Sequence, residues 1–152
     1  MNYFMAMAMD DIYVYATLGI LAYVLSSVGL YKLAKRENIS NAGLSWIPIC
    51  NYYITGLLLK GRFTIFNIKY YNPEVALPFF AVVVLIGSQI PSFGLFLSIG
   101  AGIPIIASIY HMILKYKGTQ VWIWTVVCSL LPPAYALFLF GISIKGNVSS
   151  NS

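Results

Sequence analysis

The side chains of this sequence that could do chemistry are few: one histidine, His111, two cysteines, Cys50 and Cys128, and four acids, Asp10, Asp11, Glu37 and Glu74. His111 lies one helical turn before Lys115 at the end of an apolar run. An ionisable group there is either a proton relay or ligand, or a ring that reaches the membrane–water boundary. No carboxylate shares that run, so a proton-coupled path lacks its partner. A Ser-His-Asp or Ser-Lys arrangement fails for a related reason. Asp10 and Asp11 precede the first apolar run and His111 ends a later one, which sets them on opposite sides of a bilayer. The cysteines form no CxxC or Cys/His pattern, and a lone histidine with two distant thiols does not make a metal site. "SIGAG", Ser98 to Gly102, is not followed by Lys-Ser/Thr and so is not a phosphate-binding loop. The expectation is a non-enzymatic protein with no catalytic residue, no metal and no cofactor.

The elements that carry these residues are long apolar runs. The chain is 60% hydrophobic and 9% charged over 152 residues, against about 25% charged in soluble domains. An integral membrane protein is therefore expected. The run from Ile12 to Tyr31 follows no basic segment and exceeds the roughly 7–15 residues of a signal-peptide core, so it reads as a retained helix. Asp10 and Asp11 before it, and Lys32, Lys35 and Arg36 after it, orient it with the N-terminus outside. Val75 to Leu114 contains no charge, which at about 20 residues per crossing leaves room for two helices. The turn signal "SQIPSFG", Ser88 to Gly94, separates them. A last charge-free run, Thr119 to Ile144, holds Pro132-Pro133, which removes two backbone donors and should kink or break it midway. The predicted fold is all-α and integral to a membrane: a single domain over 1–152 with four transmembrane helices at about 12–33, 74–90, 94–114 and 119–144.

Asn41 to Gly61, "NAGLSWIPICNYYITGLLLKG", is apolar and long enough to cross as well, and charge decides against it. If it does not cross, Lys32, Lys35, Arg36, Lys60, Arg62, Lys69, Lys115 and Lys117 share one side, with Lys145 alone opposite. If it crosses, the nine bases divide four and five and the positive-inside bias vanishes. Gly43, Pro48 and Gly56 are poor helix formers, and Trp46, Tyr52 and Tyr53 favour the headgroup level. A cytoplasmic interfacial or re-entrant element at about 42–59 is predicted, with both termini outside. The eight clustered bases should contact anionic lipid headgroups, at about 1 kcal/mol each. That accounts for the net charge of +5 without nucleic acid. Asn51 either caps a short surface helix or lines a path. The pairs Ala22/Ser26 and Ser98/Gly102 allow close helix approach.

Trp46, Ile47, Pro48, Asn51 and Tyr53, followed by Lys117-Gly118 and then Pro132, resemble a pattern in a family of small, uncharacterised bacterial polytopic membrane proteins. That pattern is a Trp-Ile-Pro-x-x-Asn-x-Tyr element, a later basic-Gly turn and a Pro-containing last helix. Family members are sometimes encoded with or fused to signal peptidase sequences. The resemblance covers about two-thirds of the chain. Cys50 departs from a position that is often aromatic, and the second Ile-Pro, Ile90-Pro91, lacks a nearby Asn. The resemblance implies a multi-pass protein of the bacterial cytoplasmic membrane and brings no activity with it.

Two functional readings follow. The first is an accessory or interaction factor in immunity, assembly or secretion, working through intramembrane helix contacts with a membrane protein partner or a second copy. The alternative is a small oligomeric transporter or pore with Asn51, Gln89 and His111 as polar lining. A membrane enzyme acting on lipid would need a reactive group that the sequence does not display.

Overall fold

The computed structural model describes residues 2–65, 68–90, 94–118 and 120–145. Helix α1, Asn2–Arg36, ends on a left-handed Asn38 at φ 55°. There Ile39 N–H reaches back to the Ala34 carbonyl at 2.9 Å and Asn38 N–H to Lys35 at 3.2 Å. This is a Schellman closure with asparagine at its left-handed position, and it turns the chain sharply back.

The chain then forms a 3-10 turn, Ala42–Trp46, and helix α2, Pro48–Leu58, which has Pro48 in its first turn, where a missing N–H costs nothing. The Trp46 carbonyl accepts a hydrogen bond from the Tyr23 hydroxyl, well up α1. Both ends of the segment, by contrast, meet at Lys115. Its ammonium pairs with Glu37 at 2.7 Å and donates to the Leu58 carbonyl at 2.8 Å. The segment therefore runs into the bundle beside α1 and returns to the end it left. Gly56 permits the return path, since a β-carbon there would strike the backbone of Glu74 and Pro73.

A two-stranded antiparallel hairpin follows, β1 (Thr64–Ile65) with β2 (Ile68–Lys69). Helices α3 (Pro73–Gly87) and α4 (Gly94–Tyr116) come next and pack on each other. Of the turn signal Ser88–Gly94, residues 91–93 lie outside the described residues, as does the polar tail 146–152.

The run 119–144, expected to kink or break at Pro132-Pro133, is broken there into two helices, α5 (Val121–Leu130) and α6 (Pro132–Lys145). Leu131 between them is extended at φ −122°, ψ 92°, as a residue before proline prefers. α6 lies along α1 in the same direction. A β-carbon at Gly29 would sit 2.8 Å from the Leu139 backbone, and Arg36 Nη2 donates to the Ile142 carbonyl at 3.0 Å. α5 leaves the end of α4 at Gly118, and α6 brings the chain back to that same end. This corrects the expectation that Lys145 stands opposite the other bases. The double proline supplies a full reversal rather than a kink.

The bundle thus has a basic end, where α1, α2, α4 and α6 finish and α3 and α5 begin, and a far end. Packing is uneven between them. Leu33, Ile54, Leu59, Phe63, Leu77, Met112 and Leu139 are fully buried near the basic end, whereas every residue from Ile12 to Leu21 is exposed. The doubled-back pieces are short and fill only the basic half.

The all-helical class expected from sequence is present, with the β1–β2 hairpin as an addition. Two helices, Ile12–Arg36 and Gly94–Tyr116, are long and apolar enough to cross a membrane; Pro73–Gly87, Val121–Leu130 and Pro133–Ile144 are apolar but shorter. The four expected spans are therefore not reproduced by length.

Candidate functional site

Where α2 and the α5–α6 reversal face one another, a cavity of about 820 Å³ opens between all six helices. Its lower part is polar. Asn51, Tyr52 and Thr55 come from α2, Ser129 from the end of α5, Tyr135 from the start of α6, and Ser108 from α4. Its upper part is apolar, with Leu18, Gly19 and Ala22 of α1 facing Val84 and Leu85 of α3 and Ile105 of α4. No lining residue carries a charge.

Most hydroxyls in the lower part spend their proton on their own helix. Thr55 donates to the Asn51 carbonyl at 2.8 Å, Ser108 to Ile105 at 2.6 Å and Ser26 to Tyr23 at 2.8 Å. Such back-bonding is how hydroxyl residues settle in helix interiors. Thr55 of α2 and Tyr135 of α6 both line this part of the cavity. Two polar atoms are left over: Asn51 Oδ1 and Ser129 Oγ are buried without a hydrogen-bond partner. An unmet buried group costs about 1–3 kcal/mol.

Of the three polar residues expected to line one path, the structure brings only Asn51 to this cavity. Gln89 is exposed beside the α3–α4 turn and donates to Ser88 Oγ at 3.2 Å. His111 docks the β-hairpin: its Nε2 donates to the Thr64 carbonyl at 2.8 Å, and its ring meets Phe63 edge-on at 5.6 Å. His111 is kept from the cavity by the hairpin, which sequence periodicity did not reveal. Ser129 and Tyr135 went unmarked for the opposite reason. Both flank Pro132-Pro133, and they face α2 only because the chain reverses there.

The bases gather at the basic end in differing roles. Lys115 is mostly enclosed between Glu37 and Leu58, and the Tyr116 hydroxyl also donates to Glu37, at 2.8 Å. Partial burial works against ionisation of Glu37, but the hydrogen bonds from Lys115 and Tyr116 and the charges of Lys115 and Arg62 outweigh it, so its pKa falls below the ordinary carboxylate value. Lys60 pairs with Glu74 at 3.3 Å. Lys32 lies over Phe140, Lys35 over Tyr31 and Lys117 over Trp124. Arg36 is committed to the end of α6, and Arg62 and Lys69 are exposed. Among the described residues no group of three or more His, Cys, Asp or Glu could hold a metal ion.

No family model matches the chain, and neither a curated protein nor a solved structure matches it.

Proposed function

We propose that this chain is a multi-pass membrane protein that receives a small molecule in the cavity between its two doubled-back elements, in the manner of a carrier or small transporter. Irregular backbone and helix ends at membrane depth are tolerated where they are buried in protein or line a cavity. Half-helices that start at such depth are a recurrent way to build a substrate site. The observation that carries this reading is the cavity of about 820 Å³ itself, lined by α2 and by the α5–α6 pair, with the polar residues Asn51, Tyr52, Ser129 and Tyr135 in its wall.

In this reading α1, α3 and α4 cross the bilayer, with α3 extended by the turn after it. The segment 42–58 and the α5–α6 pair are re-entrant from the basic, cytoplasmic side. All nine Lys and Arg then lie on that side, a stronger positive-inside bias than four spans give. The resemblance of the Trp46–Tyr53 element to small bacterial membrane proteins supports the same setting. Anionic headgroups would meet the exposed bases there.

Labelling with an impermeant maleimide tests the topology in a background where Cys50 and Cys128 are replaced by alanine. Ser40→Cys and Gly61→Cys should both react from the cytoplasmic face and from no other. Reaction of the two from opposite faces would sink the re-entrant arrangement and the cavity with it.

A second reading, the accessory factor, is favoured by one feature of α4. Gly94, Ser98 and Gly102 line a groove on the far half, Ser98 Oγ is buried without a partner, and a β-carbon at Gly102 would meet nothing within 4 Å. Such a groove suits a second transmembrane helix. Co-purification of one protein at equal stoichiometry, lost on Gly102→Leu, would favour this reading.

A further inference from the structure

The β1–β2 hairpin takes no part in the cavity, and its two faces differ in chemistry. Successive residues of a strand point to opposite sides, and the register pairs Thr64 with Lys69 and Ile65 with Ile68. Phe63, Ile65, Ile68 and Tyr70 therefore share one face. Phe63 is fully buried, and its ring meets that of Tyr70 at 5.7 Å. Ile65 and Tyr70 pack partly against the core, but Ile68 overhangs it and is 64% exposed. The opposite face carries Lys69, which is exposed, and Arg62 and Tyr71 are exposed at the two roots of the hairpin.

Its attachments on both sides fix the height of the hairpin. His111, which holds the Thr64 carbonyl at 2.8 Å, lies one turn before Lys115 near the end of α4. On the multi-pass reading, on which this inference rests, α3 enters the bilayer at Pro73, two residues after Tyr71 and so within about 7 Å of it. That is the headgroup layer, where aromatic rings and long basic side chains settle. The charge there is one-sided. The sequence holds no acid between Glu37 and Glu74. Glu37 feels the charge of Arg62 but is bonded to Lys115 and Tyr116, and Glu74 pairs with Lys60. Neither Arg62 nor Lys69 forms an ion pair among the described residues.

We propose that the hairpin docks on the inner leaflet, with the Ile68 side chain at the acyl boundary and Arg62 and Lys69 on the phosphates of anionic phospholipid. Charge selects the partner. An apolar contact alone would not distinguish one lipid from another, whereas two bases with no acid of their own do. Each base near such a surface favours docking about fivefold in the docked-to-free ratio, the equivalent of about 1 kcal/mol. The hairpin joins α2 to α3, so docking makes that junction sensitive to the lipid composition around it.

The test places a nitroxide on Ile68→Cys in the full chain, with Cys50 and Cys128 replaced by alanine, in phosphatidylcholine vesicles with or without an equal part of phosphatidylglycerol. Collision with oxygen reports lipid, and collision with a water-soluble nickel chelate reports solvent. In the mixed vesicles the label should read lipid. Omitting phosphatidylglycerol, which needs no further substitution, should lower the docked-to-free ratio about twenty-fivefold, and so should replacing Arg62 and Lys69 together with glutamine. Lys32→Gln, a base lying over Phe140 on the α6 side, should leave it unchanged. A solvent-exposed label in mixed vesicles overturns the docking, and lipid contact that persists equally without phosphatidylglycerol overturns the assignment of Arg62 and Lys69 to phosphate. A label shielded from both reagents means that protein covers Ile68, an acidic partner or a second copy, and the leaflet proposal is wrong. A second label, on Phe79→Cys of α3, where the native side chain is 63% exposed, separates these failures from failure of the multi-pass reading: lipid contact there keeps that reading, and solvent contact removes it together with the proposal.

Discussion

Replacing Lys115 with methionine tests how the basic end holds the first doubled-back element. The ammonium makes two contacts with that element, an ion pair with Glu37 at 2.7 Å and a hydrogen bond to the Leu58 carbonyl at 2.8 Å. Glu37 is about a third exposed, with a side-chain exposure of 35%, so solvent screens the pair to roughly 0–1 kcal/mol. The Leu58 carbonyl is a helix-end acceptor beside a buried leucine, and a charged donor to such a group contributes about 1.5–3 kcal/mol. Methionine keeps the apolar stem and removes both contacts. The expected loss is about 2 kcal/mol, or about 4–8 °C in Tm for a chain of this length, read by intrinsic fluorescence in mild detergent. Glu37→Gln removes the ion pair and leaves the Leu58 bond, so it should lose no more than about 1 kcal/mol. If Lys115→Met shifts Tm by no more than Glu37→Gln, the carbonyl bond contributes nothing and the clamp argument is wrong.

The same pair gives a pH dependence of known sign. Because the folded pKa of Glu37 lies below its ordinary value, its contribution is present above the unfolded pKa and lost as pH falls through the folded one. The Tm difference between wild type and Glu37→Gln should therefore be steady near pH 7 and shrink under acid; growth under acid would contradict the assignment. Gly56→Val should destabilise strongly, by about 3 kcal/mol or more, because its β-carbon meets the Glu74 backbone rather than a yielding side chain. Expression and detergent extraction read the loss, and a wild-type Tm would refute the close α2–α3 approach. Ser129→Ala removes a buried hydroxyl that has no partner, so the ligand-free protein should be unchanged or up to about 1 kcal/mol more stable; a loss above 1 kcal/mol would mean that the hydroxyl already has a partner. Finally, Gly118→Cys and Lys145→Cys should label from one face of the membrane, since α5 and α6 leave and rejoin the same end of the bundle.

Local sequence determined the helical class and the clustering of bases, because each follows from composition or from charge beside an apolar run. It also marked the two places where the backbone could not continue as a helix. Pro48 and Pro132-Pro133 remove donors whatever surrounds them, and the charge count already favoured a segment 42–59 that does not cross. What a break becomes depends on contacts distant in sequence. Pro132-Pro133 reads equally as a kink or a reversal until Gly29 lets α6 lie against α1 and Arg36 caps the Ile142 carbonyl. Asn51 was visible as a polar residue in an apolar segment, but its counterpart Ser129 was one hydroxyl among many until the reversal carried it to the same cavity. His111 drew attention by type and proved to hold a hairpin whose strands, at two residues each, are too short for periodicity to reveal. Composition and local backbone chemistry act within a few residues, so the sequence displays them directly; a cavity is shared by helices far apart in the chain, and only tertiary packing decides which residues line it.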